Sequence, residues 1–187
     1  MAVTVITAIV ILLIILLWAI FTSNNLIAKR NRVKQCRSSI CIAIKQRNDM
    51  IPNLVSSVKA YMVHENELLM RITELRVHST RESENQLIHD GAELSSLLSR
   101  LNIAVENYPD LKADDQFMAL QLQIADMERE LQAIRRTCNA AITDYNNGLE
   151  MFPTSIVASM RHYMPEELIA FPSDDMRDIN ISQLFAR

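Results

Sequence analysis

VTVITAIVILLIILLWAIF, Val3 to Phe21, runs without a charged residue and is built almost wholly from Ile, Leu, Val and Ala. About 18 or more such residues make a helix long enough to cross the hydrocarbon core of a bilayer. The competing reading is a cleaved signal peptide, which needs a basic segment ahead of a shorter apolar run and a small-x-small cleavage site behind it. Neither is clear here, so an uncleaved anchor is expected, with Trp18 as an interfacial residue at its downstream end.

The charges that follow are one-sided. Lys29, Arg30, Arg32, Lys34 and Arg37 come first, then Lys45 and Arg47, and the first acidic residue of the chain is Asp49. Positive charge next to a membrane helix holds its side in the cytoplasm, which predicts an outward amino terminus and a cytoplasmic domain. Lys29, Arg30, Arg32, Lys34 and Arg37 are also candidates for contact with anionic lipid head groups, each worth about 1 kcal/mol near the surface. A purely orienting role accounts for the same charges.

Composition points to helices beyond the anchor. The 187 residues include only Gly 2 and Pro 5, too few punctuating residues for a sandwich or an α/β domain. Apolar residues make up 49% and aromatics 5%, so the core is expected to be Leu, Ile, Val, Met and Ala, as in helix bundles. A net charge of -3 argues against nucleic acid as a partner. Three irregularly spaced cysteines give no disulfide framework and no paired metal motif, which fits a reducing compartment.

An apolar stripe continues through Leu26, Val33, Ile40, Ile44, Ile51, Leu54, Val58, Tyr61, Leu68, Ile72 and Leu75. Steps of three, four and seven put these on one helical face, predicting a helix from the membrane to about Val77, kinked or broken at Pro52. His78 to His89 is polar and reads as a connection or frayed end, the most mobile internal segment. Asp90 and Glu93 resemble a capping box that opens a second helix. Its stripe is Leu94, Leu97, Leu98, Leu101 and Val105, and it ends before Tyr108 and Pro109. Phe117, Leu120, Ile124, Met127, Leu131, Ile134, Cys138, Ala141 and Tyr145 form a heptad seam on a third helix. Asp114 and Asp115 complement its start, and Gly148 falls where a left-handed cap closes such a helix. Around Ile156 to Met160 one short helix is expected, followed by an irregular tail.

Little in the chain suggests catalysis. His64 and Glu65 begin like the zinc motif HExxH, but Leu68 stands where the second histidine is required. His78, His89 and His162 are isolated in sequence, and two glycines leave almost no room for a phosphate loop. No catalytic, metal or cofactor-binding residues are assigned. Cys36 and Cys41 beside the basic stretch are weak palmitoylation candidates and better read as small packing residues, while Cys138 is read as core. Asn53, Glu128, Arg135 and Asn146 could enter buried polar networks, which usually fix register.

Several stretches together resemble the LemA family of bacterial membrane proteins. They are RNRV at Arg30 to Val33, RNDMIPNLV at Arg47 to Val55, VKAYMVHE at Val58 to Glu65 and ENYPDLKAD at Glu106 to Asp114. Further on come FMALQLQIADME at Phe117 to Glu128, IRRTCNAAITDYN at Ile134 to Asn146 and MFPTSIVA at Met151 to Ala158. Thr137 and Cys138 depart from the family, which more often has two aromatic residues there, and the sequence after Arg161 diverges. The resemblance implies an antiparallel bundle of long helices, no established enzymatic activity and a scaffold linked to membrane physiology.

The expectation is therefore an all-α protein: a transmembrane anchor over residues 1–24, a LemA-like bundle of three long helices and one short over 25–161, and an irregular tail over 162–187. Its partners are the lipid bilayer of the bacterial inner membrane, further copies of itself and an unidentified membrane protein. The apolar stripe motivates self-association, because three helices have difficulty covering it along its whole length. An adaptor that offers its basic neck to a protein or to anionic lipid is the alternative.

Overall fold

The computed structural model describes residues 1–78 and 83–169. Among these the chain is all helical, without a strand. Helix α1 spans Ala2–Val58, α2 Asn66–His78, α3 Glu84–Val105, α4 Pro109–Lys112, α5 Asp115–Glu150 and α6 Thr154–Met160, with a single 3-10 turn at Val63–Glu65 ahead of α2. The chain divides into two compact units. The first holds Met1–Ser38 and Arg136–Leu168, the second Ser39–Arg135 with Ile169.

The core of the second unit follows the periodicity of its helices. Ile51, Leu54 and Val58 of α1, Leu69, Ile72 and Leu75 of α2, and Leu94, Leu98 and Leu101 of α3 bury together with Leu111, Phe117 and Ile124. At the start of α5 the Asp114 carboxylate accepts from the amides of Gln116 at 2.8 Å and Phe117 at 3.1 Å. That satisfies two donors left free in the first turn and seats Phe117 in the core.

Three local expectations are corrected. The first helix ends at Val58, not near Val77, and Pro52 lies inside it. Proline removes one amide donor, yet the break falls later, where the Val58 carbonyl accepts from both Tyr61 and Met62 and the Met62 side chain is fully buried. Second, α3 begins at Glu84, so Glu84 to His89 is helical and Asp90 is no cap. Asp90 is buried and accepts from Gln86 at 2.8 Å, while Glu93 takes the Arg71 guanidinium at 2.8 Å. Of the connection read at His78 to His89, residues 79–82 lie outside the described residues.

The third correction is Gly148, which has no positive φ and sits inside α5, whose last residue is Glu150. Its role is close approach: a Cβ there would lie 3.1 Å from the Leu26 side chain. Leu26 is the centre of the first unit's small core, with Val157 and Ala158 of α6. The Thr154 hydroxyl lies 2.7 Å from the carbonyls of both Gly148 and Met151, tying the end of α5 to the start of α6. The short helix expected near Ile156 to Met160 is α6.

Residues 163–168 have no regular secondary structure but are strapped to the first unit. The Asn146 amide donates to the Glu166 carbonyl at 2.9 Å and its oxygen accepts from the Glu166 amide at 3.0 Å. Asn146 thus meets a backbone as another strand would. The Tyr145 hydroxyl donates to the Met164 carbonyl at 3.2 Å, and Arg37 donates to the Glu167 carbonyl at 3.1 Å. The remainder of the predicted tail, from residue 170, lies outside the described residues.

Candidate functional site: the basic neck and a buried arginine

The five basic residues after the apolar run do not share one environment. Lys29 forms an ion pair with Asp144 at 2.8 Å, Arg30 lies 5.7 Å from the centre of the Tyr163 ring, and Arg37 reaches Glu166 at 3.6 Å. Arg32 and Lys34 are exposed. Helical geometry explains the split, because residues three, four or seven apart share a face. Lys29 and Arg37 flank the stripe positions Leu26, Val33 and Ile40, whereas Arg32 and Lys34 fall away from it.

Tyr145 sits among these groups, almost wholly buried. Burial pushes its hydroxyl above the usual tyrosine range, Arg30 opposes the shift, and Glu166 and Tyr163 add to it. The sign follows from linkage. Below the ordinary tyrosine value both folded and unfolded chains hold the proton and the stabilisation is complete; as pH rises, the unfolded chain loses its proton first and the stabilisation is lost through the raised folded value. The melting temperature in detergent is therefore expected to fall above about pH 10. Tyr145→Phe should show a smaller alkaline fall, and an unchanged one would rule out this coupling.

The second unit holds a group that the sequence reading assigned only to the basic run. Arg47 is fully buried. One terminal nitrogen donates to Glu128 at 2.6 Å and to the Ser95 hydroxyl at 2.8 Å. The other donates to the Gly91 carbonyl at 3.1 Å and lies 3.5 Å from the Asn48 side-chain oxygen. Its Nε has no partner. Gly91 is also a point of close approach between α3 and α1, since a Cβ there would lie 2.7 Å from the Ile44 side chain, one turn before Arg47. Desolvation pulls the guanidinium below its ordinary value, and the charge and hydrogen bond of Glu128 push the other way.

A sequence signal for this existed. Ile40, Ile44, Arg47, Ile51, Leu54 and Val58 step by four and three, so Arg47 occupies a stripe position. On α5 the same holds for Arg135, also fully buried, which lies between Leu131 and Cys138 on the buried face while Ile134 is only partly buried. Of the polar-network candidates, Glu128 meets Arg47 and Asn146 holds the strap, whereas Asn53 is exposed. Cys138 is core, and Cys36 and Cys41 are half-buried and in no disulfide.

No group of three or more His, Cys, Asp or Glu side chains among the described residues is placed to hold a metal ion. His64 and Glu65 stand in the 3-10 turn rather than on a helix. A groove of about 600 Å³ on the second unit is walled chiefly by Val55, Leu69, Met70 and Val77.

What remains distinctive is the helix that carries the neck. Its apolar window has a mean hydropathy of 3.1 and is 0% buried, which makes it a candidate membrane span. The chain is 26% identical over 163 residues to Protein LemA of Metamycoplasma hominis, covering 86% of this chain and 74% of that protein. The LemA family profile matches residues 37–182, from the basic neck through the helices of both units, and the chain belongs to the LemA family.

Proposed function

We propose that the chain is a single-pass scaffold of the bacterial inner membrane, with an outward amino terminus and its helices in the cytoplasm, which self-associates and organises membrane or partner proteins without catalysing a reaction. The observation that carries this is the bare apolar helix. Val3 to Phe21 is exposed on every side except for the partly covered Ala19, with Ile11, Leu13 and Leu17 more than half exposed. Only lipid or another apolar surface satisfies such a face. The basic residues from Lys29 onward support the orientation.

The division into anchor over 1–24, bundle over 25–161 and tail over 162–187 belongs to the same proposal, as does an antiparallel arrangement of the bundle. Two pairings support the latter: Lys29 with Asp144 and Leu26 against Gly148, so that numbers fall on α1 as they rise on α5. The adaptor reading, in which the neck contacts anionic lipid, is favoured by the exposure of Arg32 and Lys34 but limited by the partners that Lys29, Arg30 and Arg37 already have.

Mass measurement and crosslinking of the full chain in mild detergent test the scaffold. An oligomer that persists on dilution is expected, and a monomer at every concentration removes self-association. Protease added outside intact cells is expected to spare the carboxyl-terminal domain; its digestion would reverse the orientation.

A further inference from the structure

Protein cover on α1 begins where the apolar run ends. Every residue through Trp18 is exposed, Ala19 is partly covered, Phe21 is 72% exposed, and Thr22, Ser23 and Leu26 are buried. The covering element is the corner between α5 and α6. Gly148, Met151, Phe152 and Thr154 line a notch together with Thr22, Asn25, Leu26 and Lys29, so the corner stands level with the first turn beyond Phe21.

That corner turns only part of its apolar surface inward. Val157 and Ala158 of α6 pack on Leu26. Phe152 is 81% exposed, Met160 77%, Met151 63% and Ile156 50%. These four large apolar side chains fall within the ten residues 151–160 and are turned to the surface, and Arg161 follows them, exposed. A soluble protein rarely leaves such a cluster in water.

Position identifies the partner. At 1.5 Å per residue, Thr22 to Leu26 lies about 1.5 to 7.5 Å beyond Phe21 along the helix. The headgroup layer on each side of the hydrocarbon core is about 5 to 7.5 Å deep. A short amphipathic element at that height, apolar outward and bordered by a basic residue, has the form of a segment lying in the boundary between head groups and acyl chains.

We propose that the α5–α6 corner is a second membrane contact, in which Met151, Phe152, Ile156 and Met160 enter the headgroup boundary of the leaflet that α1 leaves. It rests on the reading of Val3 to Phe21 as a membrane span and adds a second contact to it. Two contacts would hold the first unit against the bilayer at a fixed tilt, which a single helix does not do. The exposed methionines suit an irregular lipid surface, because their unbranched side chains adapt to it.

Trp18 is the chain's one tryptophan, which makes fluorescence quenching a direct test. The full chain is reconstituted in phosphatidylcholine vesicles whose acyl chains are brominated close to the head group, with unbrominated vesicles as reference. In the native chain, bromine is expected to reduce Trp18 emission, which reports the span itself. In Trp18→Phe/Phe152→Trp, and separately in Trp18→Phe/Met160→Trp, a loss of emission and a blue-shifted maximum are expected. If Trp18 is quenched but both corner reporters keep full emission, the corner faces water or a second copy of the chain and the proposal is overturned. If Trp18 is not quenched either, the span reading fails and the corner proposal fails with it. Both substituted positions are highly exposed, so the reporters leave the packed face of the corner intact.

Discussion

Arg47→Ala is expected to lower the unfolding free energy of the full chain by about 3–5 kcal/mol, the cost of breaking a buried ion pair by removing one partner. The guanidinium satisfies the Glu128 carboxylate, the Ser95 hydroxyl and the Gly91 carbonyl at once. Its loss leaves all three facing a cavity. Glu128 retains 20% side-chain exposure, so water recovers part of its solvation and the cost should fall toward the lower end of that range. The pair itself is not a net source of stability on these grounds. Desolvation already depresses the Arg47 pKa, and its Nε is unpartnered. The double substitution Arg47→Met/Glu128→Leu removes both charges while keeping most of the volume, and is expected to restore most of the lost stability. Denaturant unfolding in detergent, followed by circular dichroism, measures all three chains. A single-variant cost below about 1 kcal/mol would place the pair with ordinary surface ion pairs and refute the buried-charge account.

That residue also shows where sequence reasoning stopped short. The apolar positions of α1, α3 and α5 were legible because burial on one helical face imposes steps of three and four, and Ile44, Leu98 and Leu131 fall inside as those steps require. Arg135 was legible as a candidate for a buried polar network, but Arg47, on the same steps, reads as a surface charge until its acceptors are known. Those acceptors, Glu128 and Gly91 for Arg47, are distant in sequence. The end of α1 was misplaced for a related reason. Pro52 has a local breaking effect that can be read from the chain, whereas the turn after Val58 goes with the burial of Met62 against Leu69 and Ile72, a tertiary effect. Gly148 looked like a cap because it falls near a helix end, and only the proximity of Leu26 shows that its missing side chain is what matters. The strap at 163–168 had no periodic signature at all, since side chains of Tyr145, Asn146 and Arg37 hold it by its backbone. The basic neck was legible as a charge run, but not the division that gives Lys29, Arg30 and Arg37 partners within the chain and leaves Arg32 and Lys34 exposed.

Charge placed in the middle of Val3 to Phe21 gives the largest effect expected of any substitution in the chain, and its size depends on number. Fourteen residues of that run are Val, Ile, Leu or Phe. At roughly 0.3–0.6 kcal/mol each, they favour insertion by roughly 4–8 kcal/mol, whereas one arginine at the helix centre costs about 2.5–3.5 kcal/mol. Leu12→Arg alone should therefore leave the chain in the membrane. Leu12→Arg/Leu13→Arg adds two such costs and deletes two favourable contributions, a change of about 6–8 kcal/mol that cancels the driving force. Flotation of membranes through a density gradient separates the outcomes, because a lipid-bound chain rises while an aggregate of released chains sediments. The native chain and the single variant are expected to float and the double variant to stay at the bottom. A double variant that floats as well as the native chain would mean that the apolar run is not what holds this protein to lipid, and an orientation argued from the basic residues behind it would then lose its basis.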